Sequence, residues 1–303
     1  MVTTMADANT FLEALDRKAR MFAPTARATV EANHELCSWL LDPLARWAQG
    51  AYGEKAFEDA ARGYARYCLG VAKVQQAYEQ AGRYAPQALT DVVSEVYEDE
   101  GYMVPYMWAA ILIYPFWPSM VNHIAMYRND FLRSLPPQAR VMELASGHGV
   151  LSLLAAEERP DLQLEGIDIS PPAVAVANRI LAASGHEGRV KFAVEDIVAF
   201  ERDNKGGKYQ GIIAAMLAEH LEDPRPLFRS ISRLLDKDGK VFFSTAIESA
   251  QKDHIYEFNY ESQPLKMAEE VGLRVTRLVS DASAPLPGTR FLPRATAMIL
   301  RHR

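Results

Sequence analysis

Hydrophobic positions change period near residue 140. Before it they recur every three or four residues, the spacing of a helix face. Phe11, Leu12 and Leu15 form one stripe, and Trp39, Leu40, Leu44 and Trp47 a second that stops at Gly50. Tyr64, Cys68, Val71 and Val74 mark a third, inside an alanine-rich run over 56–78. Beyond 140, short apolar runs alternate with helical stripes. Strands are predicted at 141–143, 162–168, 190–194, 211–217, 240–246, 273–278 and 294–300. Helices are predicted from Val150, over 171–183 behind Ser170 as N-cap, over 226–235, and over 264–271 before Gly272. A three-proline loop is read at 281–293. This alternation predicts βαβ units, hence an α/β fold with a doubly wound, mostly parallel sheet over 136–303 and a helical segment over 1–135.

The turn after the first strand carries the chemistry. Val141 to Leu151 ends its apolar run at Glu143, continues through Ala145, Ser146, Gly147, His148 and Gly149, and then starts a helix. Small residues where a strand hands over to a helix let a ligand approach the backbone, and open α/β sheets bind ligands there. A phosphate loop would place Lys-Ser or Lys-Thr after its last glycine, and none follows. A dinucleotide loop spaces its glycines as G-x-G-x-x-G, whereas Ala145, Gly147 and Gly149 alternate. Glu143 would repel a pyrophosphate and suits an amine-bearing ligand.

The stretch resembles the first motif of the class I S-adenosylmethionine-dependent methyltransferases, E/D-x-G-x-G-x-G, with Ala145 at the first glycine; alanine there fits a negative φ. Downstream residues keep register with that family over 140–303. Asp168 closes the second strand about 20 residues on, the distance at which such acids reach a ribose, and Asp196 follows the third. The resemblance implies a Rossmann-like seven-stranded sheet whose last strand inserts antiparallel. It also implies S-adenosylmethionine as cofactor. Glu143 would face the methionine amino group, with Gly147 and Gly149 leaving room for the carboxylate and sugar. Asp168 would hold the ribose, Ile169 one adenine face, and Asp196 and Ile197 the adenine edge. Ala215 and Met216 would line the methyl-bearing end, and His148 would stabilise the loop.

Composition narrows the partners. The chain has 303 residues, 49% hydrophobic, with net charge −6 and no basic stripe, so a nucleic-acid partner is not expected. Cys37 and Cys68 suggest neither a disulfide framework nor a zinc cluster. Residues 1–20 lack a signal-peptide pattern, which makes the cytoplasm the expected location. Residues 101–124 lack Lys, Arg, Asp and Glu, yet Pro105, Pro115 and Pro118 interrupt them and aromatic residues crowd them. A buried or pocket-facing segment is expected rather than a membrane span. The helical segment reads either as a packing or homodimerisation cap or as a lid over the acceptor, with Tyr102 to Trp117 as a wall. It shows no hairpin of a winged-helix domain.

Three histidines are candidate bases or ligands: His220 after the fourth strand, His254 after the fifth, and His123 before the first. Asp253-His254-Ile255-Tyr256 resembles a segment in bacterial small-molecule methyltransferases of antibiotic pathways, which adds Tyr256 to the catalytic candidates. Some of those relatives methylate the β-carbon of 2-oxo acids. The implied function is methyl transfer to a small-molecule intermediate of specialised metabolism. Carbon, oxygen and nitrogen acceptors stay open, as do a metal bound by His123, His220 or His254, a macromolecular acceptor, and a non-methylating cyclase.

Overall fold

The computed structural model describes residues 6–85, 88–203, 208–283 and 288–303. The first third is helical: α1 (Ala8–Lys18), α2 (Ala23–Ala32), α3 (His34–Tyr52), α4 (Lys55–Ala81), α5 (Leu89–Val92), α6 (Glu100–Phe116) and α7 (Pro118–Met126). Wider turns extend α5 through Val93–Tyr97 and α7 through Tyr127–Phe131. The remainder alternates β1 (Arg140–Leu144), α8 (Val150–Glu158), β2 (Gln163–Asp168), α9 (Pro171–Ser184), β3 (Val190–Val194), α10 (Ile197–Asp203) and β4 (Tyr209–Ala215). Then come α11 (Arg225–Leu234), β5 (Leu235–Ile247), α12 (Ser262–Glu270), β6 (Leu273–Ala282) and β7 (Arg294–His302).

The sheet runs β3-β2-β1-β4-β5-β7-β6, and β7 is antiparallel to both of its neighbours. This is the seven-stranded, doubly wound order with an inserted last strand. Side chains alternate between two cores with the pleat. Val141, Ile213, Phe242 and Ile299 face one core, and Met142, Ile212, Phe243 and Met298 face the other. The first core is continuous from Phe11 in α1 to Phe192 in β3, so helices α1 to α7 share it with α8 and α9.

Several boundaries differ from the sequence reading. Gly50 does not stop α3; a Cβ there would lie 3.2 Å from the Cβ of Ala183, so the glycine marks a close crossing with α9. The helix ends at Gly53, with φ 72°. α2, nearly all small residues, shows no large apolar stripe and was not expected. The prolines of 101–124 fit helices: Pro105 and Pro115 lie inside α6, and Pro118 opens α7. β4 stops at Ala215 rather than 217, because Met216 turns at φ 50°. β6 runs on to Ala282, which shortens the proline loop; Pro285 and Pro287 lie outside the described residues. The described helical segment contains no hairpin, and no described helix is long and apolar enough to cross a membrane.

Candidate cofactor and acceptor site

β1 lies between β2 and β4, and the turns leaving these strands diverge to opposite faces of the sheet, opening a cleft at their carboxyl ends. The turn after β1 takes three left-handed steps, with φ 52° at Ala145, 51° at Gly147 and 69° at Gly149. The negative φ expected at Ala145 is therefore wrong, and this explains why glycine suits the position. Gly149 also differs from expectation. A Cβ there would lie 2.4 Å from the ring of Phe192, so this glycine seats the β3 phenylalanine under the loop. Gly147 does face the cleft, where a Cβ on it would stand 3.5 Å from the Met107 sulfur.

Asp168 braces the loop. Gly147 N–H donates to its Oδ2 and Ser170 N–H to its Oδ1, both at 2.8 Å. Burial pushes this carboxyl up from its ordinary value. Glu143 Oε2 accepts from Ser152 N–H at 3.2 Å and from its hydroxyl at 2.5 Å, and burial raises the Glu143 pKa to about 8. His148 Nδ1 accepts from Val150 N–H at 3.0 Å, a loop-stabilising contact at the start of α8. Asp196 is exposed and accepts from Ala199 N–H at 2.9 Å, heading α10.

Two adjoining chambers occupy the cleft. The outer one, about 830 Å³, is bounded by Asp168, Ile169, Asp196 and Ile197. The inner one, about 650 Å³, is bounded by Glu143, Ala215, Glu219, His220 and His254. Ala145, Gly147, Met216 and His220 line both. The two chambers meet at Met216 and His220. A third cavity, between α4 and α6, shares Tyr67, Tyr106 and Gln251 with the inner chamber.

Helix α6 walls the inner chamber with one face, through Tyr106, Met107, Ala110, Ile113 and Tyr114. Trp108 points away from it, edge-on to Tyr52 at 5.7 Å. The expectation that the whole aromatic segment lines the pocket therefore holds for half of the helix surface.

The histidines separate. His220 and His254 have ring centroids 4.9 Å apart. Ile255 and Tyr256 N–H groups both donate to the Glu219 carbonyl, at 2.8 and 3.0 Å, tying the loop after β5 to the turn after β4. His123 is elsewhere: fully buried in α7 against β6 and β7, its Nε2 lies 3.1 Å from the Ala295 carbonyl oxygen. Burial holds its pKa at about 4, so it is a packing residue and no candidate base. Tyr256 is a second correction. Its ring packs on Phe258 at 4.7 Å, and only its backbone serves the site.

Sequence reading missed Tyr97, Glu219 and Asp253 as site residues. The Tyr97 hydroxyl lies 3.0 Å from His220 Nδ1, and the Asp253 carbonyl oxygen lies 3.0 Å from the same nitrogen. Glu219 is fully buried, with Oε2 accepting from the Thr245 hydroxyl at 2.7 Å. An acid-histidine pair at 219–220 and another at 253–254 were the available signal.

Residues 136–276 match a family model described as a methyltransferase domain. A malonyl-acyl-carrier-protein O-methyltransferase of Ilyobacter polytropus is 30% identical over 124 residues, 41% of this chain and 44% of that protein. A ubiquinone biosynthesis O-methyltransferase of Xanthomonas oryzae is 33% identical over 112 residues, 35% and 43% of the two chains. The matches thus span under half the length of these curated relatives. Among solved structures, a mitomycin 7-O-methyltransferase shares the fold with a TM-score of 0.54 at 13% identity, covering 81% of this chain and 71% of that one. The matched segment, carried on this strand order and this acid-lined cleft, is similar to the class I S-adenosylmethionine-dependent methyltransferases.

Proposed function

We propose that the protein transfers a methyl group from S-adenosylmethionine to a small-molecule acceptor, with the cofactor in the outer chamber and the acceptor in the inner one. The observation that supports this reading best is that His220 and Met216 border both chambers. A base at that junction stands where two ligands meet.

The outer chamber's donor set fits the cofactor. Each Asp168 oxygen accepts one N–H and keeps lone pairs for a ribose diol. Ile169 is 44% exposed, enough apolar surface for an adenine face. Asp196 and Ile197 lie at the edge, while Glu143 borders the inner chamber, where the ammonium end of the cofactor would reach it past Gly147. When bound, S-adenosylmethionine supplies an activated methyl on a sulfonium centre. The protein's task is to bind, orient and deprotonate the acceptor.

His220 is the proposed base. Its Nδ1 lies 3.0 Å from the Asp253 carbonyl oxygen and 3.4 Å from Asp253 Oδ2, groups that only accept hydrogen bonds. They hold the proton on Nδ1 and leave Nε2 basic. Helices α1 to α7 are proposed as a lid, with Tyr106, Met107 and Tyr114 shielding the acceptor from water.

The finer proposal is an acceptor from specialised metabolism, and within that class the β-carbon of a 2-oxo acid. Two histidines beside a pocket suit removal of a carbon-bound proton. Oxygen or nitrogen methylation needs the same base and is the second reading. Calorimetry should detect S-adenosylhomocysteine binding, and mass spectrometry on a panel of 2-oxo acids, phenols and amines should show a gain of one methylene. No binding at millimolar ligand sinks the reading, while turnover without mass change points to a cyclase.

A further inference from the structure

We infer that Glu219, His220 and His254 form a binding site for one divalent first-row transition-metal ion at the wall of the inner chamber. One potential ligand atom from each lies within 4.8 Å of the others. Bonds of about 2.1 Å place ligand atoms of a shared ion about 3–4 Å apart, so binding needs a contraction of roughly an ångström.

Three independent features support the assignment. The first is the state of the imidazoles. His254 Nδ1 lies 2.7 Å from the Ser249 carbonyl oxygen, and His220 Nδ1 lies 3.0 Å from that of Asp253. Both rings therefore carry the proton on Nδ1 and present Nε2 as a lone pair. Metal-binding histidines are oriented in this way, with the far nitrogen donating to a carbonyl.

The second feature is an orphan. Glu219 is fully buried, and while Oε2 is held by Thr245, Oε1 has no hydrogen-bond partner. An unpartnered buried carboxylate oxygen is costly.

The third feature is charge. Glu143, Glu219, His220 and His254 line the inner chamber, and among the described residues no Lys or Arg does. A cation from solution would balance the Glu219 carboxylate. Two neutral imidazoles and one carboxylate, with the remaining positions open to the chamber, suit Zn²⁺, Fe²⁺ or Co²⁺ rather than Mg²⁺ or Ca²⁺. On the methyl-transfer reading, His220 Nε2 is then a ligand rather than a free base, and the ion would instead acidify an acceptor held by its oxygen beside Met216, which favours acceptors with a carbonyl, carboxylate or hydroxyl group.

The test uses the full chain after chelator treatment, titrated with Co²⁺. One equivalent should bind with a visible ligand-field band, and excess Zn²⁺ should displace it. Glu219→Gln keeps the volume and the Thr245 contact, and His254→Gln keeps the polar contact to Ser249. Each should weaken Co²⁺ binding at least about tenfold. Wild-type melting temperature should rise with Zn²⁺ while neither variant responds. Circular dichroism and a cooperative thermal transition without metal report whether the variants are folded. Less than about a tenth of an equivalent of Co²⁺ bound, or binding unchanged in both folded variants, overturns the site. Failure of cofactor binding in the wild type would strike the methyltransferase reading and leave the metal result standing.

Discussion

The hydroxyl of Tyr97 lies 3.0 Å from Nδ1 of His220, across 123 positions of sequence. The same tyrosine's carbonyl oxygen accepts from the Ser170 hydroxyl at 2.5 Å, just after β2. One residue of the helical segment thus touches both the proposed base and the turn that follows Asp168, the proposed ribose-binding acid.

Cofactor binding should therefore quiet the segment around Tyr97. Amide exchange over 93–107 is expected to slow at least about tenfold with S-adenosylhomocysteine, because the ligand packs under Tyr97 and Met107. Tyr97→Phe should reduce that protection. Equal exchange rates with and without bound ligand would remove the lid proposal.

Cofactor binding should release a proton near neutral pH. Burial lifts the Glu143 pKa to about 8, so this acid is largely protonated at pH 7 in the free protein. An ammonium group beside it favours the ionised form and drives the proton off. Calorimetry in buffers of different ionisation enthalpy should report about one proton released per cofactor at pH 7, and none in Glu143→Gln. A buffer-independent enthalpy for the wild type would place the amino group elsewhere.

The same shift has a stability consequence. A carboxyl whose folded pKa exceeds its unfolded value binds more protons in the native state. Its contribution is fully present below the unfolded value, near 4.5, and is lost as pH rises through about 8. Glu143→Gln should be close to wild type at pH 5 and more stable by several kcal/mol at pH 8 without ligand. Chemical denaturation at the two pH values measures this, and parallel pH dependences would contradict it.

Asp168 carries two backbone donors as well as the proposed ribose contact. Asp168→Asn turns an amide NH₂ toward Gly147 or Ser170 N–H, leaving a buried donor unpaired at a cost of about 1–3 kcal/mol. Affinity for S-adenosylhomocysteine should fall more than about tenfold, with a lower melting temperature. Retention of wild-type affinity would exclude the assignment.

Ala145 sits at φ 52° without being glycine. The left-handed region costs a non-glycine residue about 1–2 kcal/mol, while glycine adds about 0.5–1 kcal/mol of chain entropy to lose. Ala145→Gly should thus be neutral or stabilising by up to about 1 kcal/mol. Ala145→Val should destabilise by more than about 2 kcal/mol and intrude on both chambers. Equal stability of the two variants would show that the loop relaxes out of its turn.

Local pattern along the chain is enough to place the sheet and the near edge of the site. Alternating apolar runs set the strands, because each must bury a face, and Glu143, Asp168 and Asp196 follow three such runs in register. Local chemistry also suffices for His148, whose contact lies two residues away. Which distant residues meet is settled only by packing. His123, His220 and His254 look alike along the chain, yet α7 carries the first to the sheet's far edge, while two backbone bonds to the Glu219 carbonyl bring the loop of the third against the turn of the second. The φ of Ala145, the pairing of Tyr97 with His220 and the orphaned oxygen of Glu219 are likewise invisible in the chain. Periodicity reports which face of an element is buried; proximity between elements depends on how those faces pack, and no local pattern encodes that distance.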